Sequence, residues 1–410
     1  MIEQELDYSI LILITGVLVL MSMLIKAGLE RTVLPPLVGY LVLGFALRLA
    51  AAEYPLLPQG SEEILQFLAK IGLVTLLFRV GLESELRALL KQMKQAGVAL
   101  IGNIIITVAI GYATGYYLLG QSQVTSLIIG TAFAATSVGV TVSIWKSAGV
   151  LKSPNGSFLV DLAELDDISA VILMALLFSV LPVLHGGMNQ NSMAGLLGTT
   201  AGIFVLKFAV FAALCYLFSH YVTRPLADLF EKIEIPPEPT LTIAGTGFVI
   251  AAMAGLLGFS LAIGAFFAGL VFSKISEQLK IESAYLPLYD FFTPFFFIGI
   301  GFDVNPEAAG SAVGLGVILL ASASLAKLLA VGMPVYFMKD WKSAFLLGVS
   351  MIPRAEIAMV IMQQGLKLGK WAVPANIYGG MVMMAGLTCL MSPIAVYVLL
   401  ARWPQNGEGK

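Results

Sequence analysis

Apolar residues run in long blocks from one end of the chain to the other, and short segments rich in lysine, arginine, proline and glycine separate them. A bilayer with a hydrocarbon layer of ~30 Å needs about 20 helical residues per crossing, and the blocks have that length. A membrane barrel would instead show segments of about ten residues with alternating polarity. Thirteen blocks can be drawn, at roughly 8–28, 35–51, 64–82, 96–118, 124–148, 157–181, 196–222, 239–257, 260–273, 285–302, 311–337, 343–366 and 373–400. The pattern predicts an all-α polytopic membrane protein with about 13 transmembrane helices. The first block follows the acidic start MIEQELDYSI, which lacks the basic residues of a cleaved leader, so it reads as a retained first span.

Two blocks are interrupted near their middle. Span five reads GTAFAATSVGVTVSIW (130–145), with Thr136, Ser137 and Gly139 at its centre. Span twelve reads GVSMIPRAEIAMVIM (348–362), where Pro353 cannot donate a helix hydrogen bond. Interruptions at matching places predict two broken helices that cross at the midplane, with free carbonyls and helix ends able to hold a cation. For span five alone, a close-packed interface of small residues is the alternative. Other features recur at similar offsets. Gly39 and Gly44 in span two reappear as Gly264 and Gly269 in span nine, 225 residues later. Gly81, Leu82 and Glu83 end span three, as Gly301, Phe302 and Asp303 end span ten, 220 residues later. Inverted six-helix repeats joined by one linker span account for both offsets.

Charge sharpens this picture. The chain is 59% hydrophobic and only 12% charged, where a soluble protein has about 25%. Its net charge of −2 leaves no basic face for nucleic acid. With the N-terminus outside, inside loops and the tail hold fifteen lysines and arginines, and outside loops hold three: Arg48, Lys367 and Lys370. The bias predicts N-out, C-in, which requires an odd number of spans. About ten residues follow the last span, so no soluble regulatory domain is expected. Cys215 and Cys389 lie in apolar spans and read as small core residues. His185 and His220 lie near span ends, and a zinc site is not expected.

Five cations fall within spans: Lys70, Arg79, Lys207, Lys327 and Arg354. So do four acids of span six, Asp161, Glu164, Asp166 and Asp167, around the stretch AELDDISAVI (163–172). At 1.5 Å per residue the paired aspartates lie about 15 Å deep, near the midplane. A charge there costs about 2.5–3.5 kcal/mol or more and marks a functional site by default. Neighbours on a helix point ~100° apart, so one aspartate can face a cation while the other faces a neighbouring helix. Glu164 shares a face with Asp167. Structural salt bridges between helices are the alternative. Lys327, in LLASASLAKLLAVGMP (319–334), is too deep to reach the interface and needs an acid, for which Asp166 is the candidate. Arg354 and Glu356 flank the break in span twelve, and each is expected to pair with another helix as scaffolding. Arg79 and Glu83 are spaced for a local i,i+4 pair.

Taken in order, these motifs resemble the monovalent cation:proton antiporter-2 family of the cation/proton antiporter superfamily. LPPLVGYLVLGF (34–45), LLFRVGLESEL (76–86), AATSVGVTV (134–142), the Asp166–Asp167 pair, Lys327 and IPRAEIA (352–358) carry the resemblance over nearly the whole chain. Arg79 stands where an apolar residue is usual, and Asp161 and Glu164 are additional acids. The resemblance implies a homodimer moving by elevator-like alternating access. Its dimerisation domain would span approximately 8–94 and 239–303, its linker helix 196–222, and its core ion-transport domain 95–181 and 311–400. It implies Asp167 as main ion and proton carrier, Asp166 as partner of Lys327, and Thr136 or neighbouring span-five groups as oxygen ligands beside Asp167. Gly139, Pro353, Arg354 and Glu356 would be structural in the broken helices.

The expected activity is exchange of Na+ or Li+ for H+ across a cell membrane, with no cofactor and no enzymatic step. Burial penalises a bare carboxylate, so sodium and proton compete to neutralise it. Proton release from Lys327 as the cation arrives would make exchange electrogenic. A potassium/proton antiporter is the nearest alternative. A cation channel, a membrane aspartyl protease and a non-transporting sensor lie further off, and the protease needs aspartates on facing helices.

Overall fold

The computed structural model describes residues 2–29, 32, 34–53, 61–83, 101–137, 139–185, 190–223, 225, 239–276 and 281–405. The described residues form fifteen main helices. The first group is α1 (Ile2–Leu29), α2 (Pro36–Glu53), α3 (Ser61–Glu83) and α4 (Ile101–Leu118). Then come α5 (Gln123–Ala134), α6 (Gly139–Ser147), α7 (Pro154–His185), α8 (Gln190–Tyr221), α9 (Pro239–Leu256) and α10 (Leu261–Ser276). The last group is α11 (Ile281–Phe302), α12 (Ala309–Met338), α13 (Trp341–Ser350), α14 (Glu356–Leu368) and α15 (Ala375–Arg402).

Among the described residues nine helices are long and apolar enough to cross a bilayer alone. With the shorter α9 and α10, and with α5–α6 and α13–α14 each counted as one interrupted crossing, they form the thirteen expected spans. Large apolar side chains such as Leu20, Leu256 and Phe337 point outward, as a lipid-facing surface requires. The last turn of α4, Thr114–Leu118, is a π-helix, which the hydropathy pattern does not reveal. The loop cations Arg31, Arg87, Lys91, Lys94, Arg224, Lys232, Lys280 and Lys410 lie outside the described residues, as does the start of the fourth span.

The chain divides into two compact units: residues 1–62, 89–170 and 297–410, and residues 63–88 and 171–296. In the first unit α12 packs along α13 and α15, and α5 packs on α14. Beneath the interrupted helices lies a core that includes Trp145, Leu159, Leu162, Val331, Leu346 and Met351. In the second unit α9 packs on α10. There Phe78 meets the rings of Phe272 and Tyr285, and the Tyr285 hydroxyl donates to the Thr75 carbonyl at 3.2 Å.

The glycine offsets reappear as two matched contacts. In the first unit a Cβ on Gly44 would collide with the Ile298 backbone of α11, and one on Gly301 with the Leu41 backbone of α2. In the second unit a Cβ on Gly269 would collide with the Phe78 backbone of α3, and one on Gly81 with the Phe266 backbone of α10. The offsets carry Gly44 onto Gly269 and Gly81 onto Gly301, so each contact is the repeat-mate of the other. Backbones approach this closely only over small residues.

Gly44→Leu and Gly301→Leu are therefore expected to destabilise the protein by about 1–3 kcal/mol or to block folding. Gly16→Leu, at a site where a Cβ meets nothing within 4 Å, is the control and should melt like the parent in detergent.

Candidate functional site

The two interrupted spans meet. Helix α5 stops at Ala134, residue 135 is extended, and α6 starts at Gly139. Helix α13 stops at Ser350 and α14 starts at Glu356, with Pro353 between them. Proline has no N–H to continue the helix, and the small residues at 134–137 allow the two chains to approach. The Ser137 backbone N–H donates to the Pro353 carbonyl at 2.9 Å. The Thr141 hydroxyl donates to the Ser350 carbonyl at 2.8 Å, and Trp145 Nε1 to the Ser350 hydroxyl at 3.1 Å. From α15, the Ser392 hydroxyl donates to the Val349 carbonyl at 2.7 Å, and Thr388 Oγ1 accepts from the Arg354 backbone N–H at 3.0 Å. Side chains thus satisfy backbone groups that the breaks leave over, as an apolar surrounding demands.

Arg354 is fully buried inside the second break. Its guanidinium turns back on its own chain, and Nη1 donates to the carbonyls of Met351 at 3.0 Å and Ile352 at 3.1 Å. For its hydrogen bonds this corrects the expectation that Arg354 pairs with another helix: the break exposes carbonyls at the end of α13 and the guanidinium takes two of them, while Asp166 on α7 stays within electrostatic reach. Its Nε and Nη2 are buried without a hydrogen-bond partner. Glu356, half-buried, is the first residue of α14, where the helix dipole favours an acid.

Beside the crossing lies a cluster of charge. Lys327 and Asp166 are both fully buried, and Lys327 Nζ lies 3.3 Å from Asp166 Oδ2. The same ammonium donates to the Ala134 carbonyl at 3.1 Å, the last carbonyl of α5, where the helix dipole is negative. It also donates at 2.9 Å to the side-chain oxygen of Asn103 on α4. The amide nitrogen of Asn103 donates to Asp166 Oδ1 at 2.5 Å. An ammonium has three protons, and each has an oxygen here.

Asp167, next along α7, is partly exposed and close enough to Lys327 to interact electrostatically. Asp161 is half-buried and five residues before Asp166, about 140° around the helix. The side chain of Glu164 lies outside the described residues. Thr136 sits in the first break with its Oγ1 buried and without a hydrogen-bond partner, so an oxygen ligand is available there. Arg79 and Glu83 form the expected local pair at 2.7 Å, with Arg79 also over the Tyr289 ring. Lys70 and Lys207 are exposed.

Asn103 is the residue that a search for charges passes over. In LIGNIIITVAI (100–110) it is one amide in an apolar run, and its signal is only that a buried polar group needs partners.

The family described as "Sodium/hydrogen exchanger, transmembrane" matches residues 15–402. The chain belongs to this family. As a sodium/hydrogen exchanger family member it resembles the high-affinity Na+/H+ antiporter NhaS3 of Synechocystis, at 25% identity over 88% of this chain and 84% of that one. It is 26% identical to the Na+/H+-K+ antiporter GerN of Bacillus cereus, over 88% of each chain. Its fold is that of the sodium proton antiporter MjNhaP1 of Methanocaldococcus jannaschii, with TM-score 0.66 and 14% identity, covering 97% of this chain and 99% of that one. The family is one of integral membrane transporters.

Removing one partner of a buried ion pair leaves the other charge uncompensated, at a cost of about 3–5 kcal/mol. Lys327→Leu and Asp166→Leu are each expected to lower the melting midpoint sharply. The double variant should lose less than the two singles combined, and a thermal double-mutant cycle measures the difference.

Proposed function

We propose that this exchanger carries out secondary active antiport of Na+ (or Li+) for H+, with Asp167 as carrier. The observation that carries the reading is the buried Asp166–Lys327 pair beside Asp167 at the crossing of two broken helices. Thr136 Oγ1 and freed carbonyls of the first break supply oxygen ligands for a cation on Asp167. Asp166 is held by Lys327 and serves as its counter-charge. A bare carboxylate crosses the bilayer poorly, whereas one neutralised by sodium or a proton crosses, so the two ions exclude each other on one site. Release of a proton from Lys327 during the cycle makes exchange electrogenic. Asp161 and Glu164 are additional acids along the same helix.

The paired aspartates and Lys327 favour the antiporter-2 branch. The same resemblance supports a homodimer in which the core, approximately 95–181 and 311–400, moves as an elevator. The dimerisation domain is approximately 8–94 and 239–303, with the helix at 196–222 as linker. Loop charge favours an N-terminus outside and a C-terminus inside a cell membrane. A potassium/proton antiporter is the second reading, favoured by the GerN likeness and by ligands that do not fix ion size.

Proteoliposomes loaded with acid and given sodium, lithium or potassium test the proposal. Sodium or lithium should drive proton efflux, and Asp167→Asn should abolish it. A response to potassium alone moves the function to the second reading. Electrogenicity predicts that a valinomycin–potassium clamp changes the rate, and equal rates with and without the clamp count against it.

A further inference from the structure

We propose that Asn103 is a positioning residue of the transport site: its amide holds Asp166 and Lys327 as one registered pair, so that Lys327 does not compete with the cation for Asp167. The inference rests on the antiport reading above. It begins from the polarity of the amide. A carboxylate only accepts and an ammonium only donates, so the Asn103 NH2 group must face Asp166 and its oxygen must face Lys327. The distances of 2.5 and 2.9 Å fit that single orientation. Both ends of the side chain are engaged at once, and the residue is fully buried. Its own backbone is held as well, since the Thr107 hydroxyl donates to the Asn103 carbonyl at 2.5 Å.

Asn103 therefore completes two shells. Lys327 directs its protons to Asn103 Oδ1, the Ala134 carbonyl and Asp166 Oδ2. Asp166 receives Asn103 on Oδ1 and Lys327 on Oδ2 at 3.3 Å, with the ammonium a longer 3.5 Å from Oδ1. Without the amide, one ammonium proton loses its acceptor, and Asp166 Oδ1 keeps only the longer 3.5 Å contact with Lys327 in an apolar interior. Asp167 is a second carboxylate within electrostatic reach of Lys327. A lysine that turns towards Asp167 occupies the group that sodium must bind. The charged groups that act on Lys327 are Asp166 and Asp167 on α7, with Arg354 in the neighbouring break.

The test is sodium-driven proton efflux from proteoliposomes holding the full chain, read as KM and maximal rate separately. Asn103→Leu, close in size but without either hydrogen-bonding group, is expected to raise the apparent KM for sodium by about tenfold, the effect of one lost hydrogen bond to a charged group. A role confined to helix packing predicts a lower maximal rate and melting temperature with KM within twofold of the parent, and that result overturns the proposal. The exchanged variant Asn103→Asp with Asp166→Asn covers the case in which Asn103→Leu does not fold. It keeps an acid in the shell of Lys327, so it should melt higher than Asp166→Asn alone, and no recovery overturns the proposal. If the parent protein shows no sodium-driven proton movement, it is the antiport reading that fails.

Discussion

A full charge in a hydrocarbon layer must be answered by other groups of the protein, because water is not there to do it. Asp166 and Lys327 are the place where this constraint is felt most strongly. Their mutual attraction in a low dielectric does not by itself offset the loss of hydration, which is several kcal/mol per ion. The pair stands because Asn103 and the Ala134 carbonyl supply the remaining contacts. The break in span five is part of this arrangement. An uninterrupted helix would have tied the Ala134 carbonyl to a backbone N–H four residues on, and the ammonium would have lacked its third acceptor.

The same economy of partners governs the crossing itself. Two chains leave helical geometry in an apolar interior, and each leaves donors and acceptors over. One backbone hydrogen bond joins the breaks at Ser137 and Pro353, and hydroxyls of Thr141, Thr388 and Ser392 take further groups. Arg354 absorbs two more carbonyls. Among the described side-chain atoms of the crossing, the Thr136 hydroxyl oxygen and part of the Arg354 guanidinium are buried without a hydrogen-bond partner. An oxygen acceptor without a donor is unfavourable in a resting core and useful beside a carboxylate that binds cations.

Much of this was legible in the sequence because the bilayer imposes a length. Thirteen spans follow from block lengths alone, and the short ninth block corresponds to α10, Leu261–Ser276. The breaks were legible because proline and a run of small polar residues have local consequences. Lys327 and Asp166 were legible because isolated charges in apolar spans need each other. Asn103 was not, since an uncharged amide carries no comparable penalty and its two partners lie 63 and 224 residues away along the chain. Arg354 misled for a related reason. Its charge asked for an acid, but the fold answered with carbonyls that only a broken helix exposes. The π-turn closing α4 has no hydropathy signature at all.

The swapped glycine contacts bear on how such a chain is made. Gly44 of the first repeat packs on α11 and Gly81 packs on α10, both of which belong to the second repeat. For these two glycines the covering surface lies in the other repeat, whereas Gly39 packs on Ile25 of α1 within its own. A ribosome adding about 5–20 residues per second needs roughly ten to fifty seconds to travel from α2 or α3 to those later helices. For that interval α2 and α3 sit in the bilayer with their closest-packing faces against lipid or the insertion machinery. The two repeats are thus not separate units of assembly, and closure of these contacts waits for the second half of translation.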